Sequence, residues 1–291
     1  AQIKLKFTFN ITILQGILRF GFPLYINQIL SFIFLKIDTM LIGALLGPAE
    51  IAVYEIAKKI PDSLTMLYDA FRKVYFPIIS KVHSKGKLRQ TASLLNNSNR
   101  LLAFFGVLGT IIIYAFGNEI VSIIFSEKYL NSVPTFSVLM LVLTLTAIDE
   151  TLGYSLVAIG SPNKPPIINT LRAIISLTGY ILLIPAVGII GAALANLIGT
   201  SIVNPLNVIF LRRKSINVKF SVFLKPLLIF GFMSLFIFFF QPDNFLIKTT
   251  IIIAFVIICK IFSVFTFNDI KTITQELINL ATQYRKKIGQ S

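Results

Sequence analysis

Two runs in this chain, LLAFFGVLGTIIIYAF at 101–116 and TTIIIAFVIICKIFSVF at 249–265, are apolar nearly from end to end. Each is close to the ~20 residues a helix needs to cross the hydrocarbon core of a bilayer. Inside that core a helix satisfies its backbone polar groups from within its own segment, so helices are the expected fold. Similar runs recur along the chain. The expected spans are 21–46, 49–77, 98–116, 134–159, 165–186, 188–211, 222–240 and 246–266, the second being the least regular because of its charges. Between them fall the Gly, Pro and polar clusters GP (47–48), HSKGK (83–87), SPNKPP (161–166), VGIIG (187–191), RRKS (212–215) and QPDN (241–244), which punctuate helices. The fold class is therefore an all-α integral membrane protein of about eight transmembrane helices. With 55% apolar residues and a mean hydropathy of +0.82, an ordinary soluble domain is excluded. Repeated long runs also exclude a cleaved signal peptide. The first residue is Ala1, so a processed chain or a fragment is expected.

A formal net charge of +15 raises the question of nucleic acid. The placement of the charges answers it. With the N-terminus inside, 19 of the 27 Lys and Arg fall in or beside inner segments, and 2, Lys128 and Lys248, in outer ones. Cytoplasmic loops collect Lys and Arg in this way. Both termini are expected in the cytoplasm, the protein is expected in the plasma membrane, and no nucleic-acid partner is needed. Residues 3–13, IKLKFTFNITI, alternate with period two, and 1–20 reads as an extended or interfacial lead-in. NEIVSIIFS at 118–126 reads as a short amphipathic piece on the outer surface. In the tail, 267–291, the apolar residues from Ile270 to Tyr284 recur at helical spacing, which predicts a helix lying on the inner leaflet. The single cysteine, Cys259, allows no intrachain disulfide, and the single histidine, His83, lies in a basic loop. No metal, cofactor or enzyme motif is expected.

The second span is the unusual one. YEIAKKIPDSLTMLYDAFRK at 54–73 concentrates charge in an oily chain. At 100° per residue, Glu55, Lys58, Lys59, Asp62, Met66, Asp69 and Lys73 fall within an arc of about 100°. An ionisable group at the bilayer centre costs several kcal/mol, so the stripe is expected to face protein or a water-filled cavity. Pro61 breaks the backbone ladder where neighbours or water can satisfy the freed carbonyl. The alternative is a charged helix lying in the interface. Local pairs, Glu55–Lys59 and Asp62–Lys58, are compatible with a cavity. Asn27, Ser31 and Asp38 share one face of the first span, with Lys36 nearly opposite. Asp149 and Glu150 are adjacent carboxylates in the fourth span, where one is expected to hold a proton. Asn169 and Arg172 enter from the inner side of the fifth.

FGFPLYINQILSFIFLKIDTMLIGALLGPAEIAVYEIAKKI followed by VYFPIISK resembles the opening helix pair of a lobe in the polysaccharide flippases, the O-antigen, capsule and teichoic-acid type exporters. These belong to a superfamily that includes lipid II flippases and multidrug and toxin extrusion transporters. The matching features are Gly21-Phe22-Pro23, Asp38, the Gly47/Tyr54/Ala57 pattern and the Phe76-Pro77 closure. LVAIGSPNKPPIINTLRAIISLTGYILLIPAVGIIGAALANLIGT resembles the family's C-terminal domain, with a small-residue helix from Gly188 to Gly199. Family members have two six-helix lobes. The resemblance implies a C-terminal six-helix lobe over 21–212, two additional helices over 213–266, and an N-terminal lobe that this chain lacks. It also implies the job, which is to move a polyprenyl-linked oligosaccharide from the inner to the outer leaflet by alternating access. By the same implication Lys58, Lys59 and Arg72 bind phosphate or sugar, with Asn27, Asp38 and Arg172 in the cavity. Glu55, Asp62, Asp69, Asp149 and Glu150, together with Asp38, pair charges or couple to an ion. Membrane lipids and the lipid-linked substrate are the partners. The alternatives are a multidrug or metabolite antiporter of the same superfamily, a membrane-embedded polysaccharide polymerase, and a non-transporting scaffold.

Overall fold

The structure, a computed structural model, describes residues 11–240 and 244–261, with some side chains of the first and seventh helices outside the description. The chain before residue 11 and the tail expected at 267–291 lie outside the described residues. The described residues form helices α1 (Ile11–Leu46), α2 (Pro48–Ser84), α3 (Leu88–Ile124), α4 (Val133–Ala158), α5 (Lys164–Val187), α6 (Ile189–Arg213), α7 (Ser221–Phe240) and α8 (Phe245–Ile261). A 3-10 turn (Glu127–Ser132) leads into α4. Among the described residues four stretches are long and apolar enough to cross a membrane: Leu88–Ile124, Glu127–Ala158, Lys164–Val187 and Ile189–Arg213. The architecture of the described residues is all-helical, and the protein is a multi-pass membrane protein.

The helices end where the sequence supplies glycine and proline. Gly47 sits at φ 98°, a conformation costly for a residue with a Cβ, and Pro48 follows as the first residue of α2. Gly188 at φ 71° is the whole connection between α5 and α6. Three helices run longer than the apolar runs predict, α2 continuing past Pro77 to Ser84. α1 begins at Ile11, inside the stretch read as a lead-in, and α3 runs on to Ile124, absorbing the piece read as separate. The continuation of α3 through Gly117 goes with a packing contact. Gly117 does not break α3; a Cβ there would meet Val133 Cγ1 at 2.6 Å. The glycine lets the start of α4 come down on α3.

Three apolar clusters organise the packing. Toward the α2–α3 turn, Tyr75, Ile79, Leu95, Leu152, Leu156, Val208 and Leu211 join α2, α3, α4 and α6. Toward the opposite end, Ile42, Tyr54, Ala57, Phe136, Tyr180, Ile184 and Ala192 join α1, α2, α4, α5 and α6. The third cluster sets Phe104, Val107 and Ile111 of α3 against Met233, Ile237, Ile251, Phe255 and Cys259 of α7 and α8. α7 and α8 thus pack on the outer side of α3. The closest helix pair is α5 with α6. A Cβ on Gly191 would fall on the Leu183 carbonyl, and one on Gly179 would meet Ala195 Cβ at 2.8 Å. Small residues at such contacts let backbones approach in lipid, where dispersion rather than hydrophobic expulsion holds helices together.

Candidate functional site

A cavity of about 310 Å³ opens between α2, α4, α5 and α6, with Asp38 of α1 at its edge. Its lining from α2 is Lys58, Pro61, Asp62 and Thr65; Asn169, Arg172, Ser176 and Tyr180 come from α5, and Asn196 and Thr200 from α6. α4 contributes Leu139, Val142, Leu143, Thr146 and Glu150, an apolar wall ending in a carboxylate. None of the lining residues comes from α3, α7 or α8. Pro61, expected to interrupt the ladder at a wet face, is buried at the cavity wall.

Two charge clusters flank this space. At one side Asp38 of α1 accepts a hydrogen bond from the Tyr54 hydroxyl at 2.7 Å and pairs with Lys58 Nζ at 3.1 Å. Both charged side chains are nearly sealed, 11% exposed for Lys58 and 5% for Asp38. The Lys58 ammonium also stands 5.4 Å over the Tyr54 ring. At the other side Asp149 accepts from Arg172 Nη1 at 3.1 Å and from Asn207 Nδ2 at 2.6 Å, tying α4 to α5 and α6. Its neighbour Glu150 turns to α2 and pairs with Arg72 Nη1 at 3.3 Å. Arg72 also bonds Asp69 at 2.9 Å and lies 4.8 Å over the Tyr154 ring. The adjacent carboxylates therefore diverge, each toward its own arginine.

The structure brings Asp38, Lys58, Asp62, Glu150, Asn169 and Arg172 to one cavity. Three other residues of the α2 stripe take different places. Lys59 is exposed and does not line the cavity. Glu55, half-buried, stands 4.0 Å from exposed Lys36 and accepts from Thr39 Oγ1 at 3.0 Å. Asp69 is held by Arg72. Lys58 and Glu55 pair between helices, because α1 offers Asp38 and Lys36 on the side where they emerge. Asn27 lies on α1, and its side chain is outside the described residues.

Four polar residues of the site escape a reading of charges alone: Tyr180, whose hydroxyl donates to Asn196 Oδ1 at 2.7 Å, Asn196 itself, and Asn204 and Asn207 deeper in α6. The signal for the asparagines was present. Asn196, Asn204 and Asn207 fall within an arc of about 80° on an otherwise apolar helix. Polar side chains in a span face the bundle interior or a wet cavity.

Known proteins share this architecture. Residues 1–134 match the polysaccharide biosynthesis protein family. Over 203 residues the chain is 26% identical to the probable low-salt glycan biosynthesis flippase Agl15 of Haloferax volcanii, which covers 67% of this chain and 41% of that protein. The lipid II flippase MurJ, in an inward closed conformation, superposes with a TM-score of 0.63 at 22% identity, over 89% of this chain and 57% of that one. A multidrug resistance MATE family transporter of the MOP superfamily, in an outward-facing conformation, superposes at 0.60 and 16% identity, over 75% and 51%. The resemblance to the polysaccharide flippases of that superfamily, read from sequence motifs, stands. The chain spans less than half the length of the curated flippase and little more than half that of the superposed transporters.

Proposed function

We propose that this chain is one lobe of a carrier that moves a lipid-linked oligosaccharide across the plasma membrane, and that the cavity between α2, α4, α5 and α6 receives the polar head group. The observation that carries this reading is the lining itself. Lys58 and Arg172 supply positive charge for a phosphate, while Asn169, Asn196, Tyr180, Thr65 and Thr200 supply donors and acceptors for sugar hydroxyls. The apolar α4 wall suits the faces of sugar rings. A polar head group and a polyprenyl tail have opposite solvent preferences, so a polar cavity beside lipid lets the head cross while the tail stays in the bilayer.

In this reading residues 21–212 form a six-helix lobe and 213–266 two further helices outside it, giving eight spans with both termini in the cytoplasm. A second lobe supplies the other half of the cavity, and the two rock about the site in alternating access. The partial coverage of the flippase relatives favours a missing half of this kind. The two charge clusters then have separate tasks. Lys58 and Arg172 meet the head group's anion, and Asp38, Asp62, Asp149 and Glu150 hold those cations in place or exchange with an ion as the lobes move. The chain acts as a carrier rather than an enzyme.

The test is export. The full two-lobed protein is expressed in cells lacking their own exporter, and surface polysaccharide is measured together with the amount of protein in the membrane. The variant Lys58→Gln with Arg172→Gln should lose most export per unit of protein that reaches the membrane. Wild-type polysaccharide levels in that double variant would remove the head-group assignment.

A further inference from the structure

A second cleft lies outside the transport cavity, where α3 begins and the α6–α7 connection passes it. It encloses about 330 Å³. One wall is a single face of α3, with Arg89, Ser93, Asn97 and Arg100 among its lining residues. The other wall is the segment after α6, which contributes Asn217 and Lys219. Among the described residues no carboxylate lines the cleft, and the sequence stretches 70–118 and 151–242 that build its walls contain no Asp or Glu. The position is the side of the protein on which the basic loops gather.

The second wall is built, not draped. Ile216 and Val218 are 0% and 1% exposed, plugged into the cluster with Leu95 and Leu211. With alternate residues turned inward, Ser215, Asn217 and Lys219 line the cleft. Arg212 donates to the Val218 carbonyl through Nε at 3.0 Å and Nη2 at 2.7 Å. Asn96 of α3 staples the same segment by donating to the Asn217 carbonyl at 2.9 Å and accepting from the Lys219 amide at 2.9 Å. The connection is therefore fixed against α3, and the Lys219 side chain is carried on a rigid backbone opposite Arg89 and Arg100. Leu88, in the lining, and Phe220, the residue after Lys219, are each 38% exposed.

We propose that this cleft binds the phosphate of an anionic phospholipid from the leaflet on that side, with Arg89, Arg100 and Lys219 as the cationic contacts, Ser93, Asn97 and Asn217 as hydrogen-bond donors, and Leu88 and Phe220 against the acyl chains. Basic pockets between helices at the cytoplasmic surface suit anionic head groups, and each Lys or Arg near the surface contributes about 1 kcal/mol. The exposed apolar shoulders favour a lipid over a free phosphate, which has no use for them. The site is separate from the transport cavity and does not depend on the transport reading.

The purified full chain in a neutral detergent is incubated with equal amounts of phosphatidylglycerol and phosphatidylcholine, and retained lipid is counted by native mass spectrometry. Wild type should retain phosphatidylglycerol in preference. Arg89→Gln with Lys219→Gln, both exposed positions, should lower that retention by roughly tenfold or more. Lys85→Gln with Lys87→Gln removes the same charge from exposed positions outside the cleft and should leave retention near wild type. Equal retention of the two lipids by wild type, or equal loss in the two double variants, would overturn the proposal. So would full displacement of the lipid by an equal concentration of inorganic phosphate, which would assign the cleft to a free anion.

Discussion

Lys58 Nζ lies 3.1 Å from Asp38 Oδ2, and the same carboxylate takes the Tyr54 hydroxyl at 2.7 Å. The pair joins α1 to α2 at a place where both charges are nearly out of solvent. Breaking a buried pair by removing one partner strands the other charge, at a cost of about 3–5 kcal/mol. Lys58→Met should therefore lower the thermal stability of the purified protein sharply, because Asp38 keeps only the Tyr54 and Thr39 donors. Lys58→Met with Asp38→Asn should recover a large part of that loss, since no unpaired charge remains. Thermal unfolding in detergent of the two single variants and the double gives the coupling. Strict additivity would mean that the two groups do not interact.

The neighbouring lysines separate what the stripe implies from what the fold does. Lys58 and Lys59 both belong to the charged arc of α2, and both are phosphate-binding residues by family resemblance. Only Lys58 lines the cavity. Lys58→Gln in the two-lobed protein should reduce surface polysaccharide several-fold, whereas Lys59→Gln should change it little. Each is measured per unit of protein in the membrane. The reverse ranking would place the working lysine on the other side of the helix.

Thiol labelling reads the cavity directly. Cys259, the one native cysteine, is 0% exposed in the α3–α7–α8 cluster. Access governs thiol reactivity, so it should resist a water-borne maleimide until the protein unfolds. In a Cys259→Ala background, Asp62→Cys and Thr65→Cys should label in intact membranes, and Val107→Cys, 0% exposed, should not. Protection of both positions 62 and 65 would close the cavity to water and with it the transport reading.

Helix identity was legible in the sequence because lipid imposes a simple demand: an apolar run long enough to close its own hydrogen bonds. Glycine-proline breaks at 47–48 and the turn at Gly188 fell where expected for the same reason. Gly117 shows the limit. Whether a glycine ends a helix or admits a neighbour depends on what packs there, and Val133 is distant enough in sequence for a local pattern to miss it. The site was half legible. Charge in a hydrophobic span announces a partner, and the arc of α2 was visible. Which partner each charge takes is decided by helix adjacency. The i,i+4 rule offered Asp62 to Lys58, and only helix adjacency could add Asp38 of α1, 3.1 Å from the same ammonium. Neutral polar residues give a weaker signal: Asn196 shared a polar arc with Asn204 and Asn207 on an apolar helix, whereas Tyr180 had no such pattern and is identified by its place in the lining.

The α5–α6 contact yields the last expectation. Gly199 lies against Ser176 and the Arg172 backbone; a Cβ there would stand 3.2 Å from the Arg172 carbonyl oxygen. Gly191 is tighter still, facing backbone atoms of Leu183 and Ile184 that have no rotamer to escape into. Overpacking of this kind costs about 1–3 kcal/mol, more where the obstacle is backbone. Gly191→Leu should therefore reduce thermal stability more than Gly199→Leu. Gly199→Leu should carry a functional loss out of proportion to its stability, because it pushes on the turn of α5 that presents Arg172 to the cavity and to Asp149. Melting temperature and export measured together distinguish the two. If Gly199→Leu loses export only in step with its loss of folded protein, the seating of Arg172 does not depend on the close approach of α5 and α6.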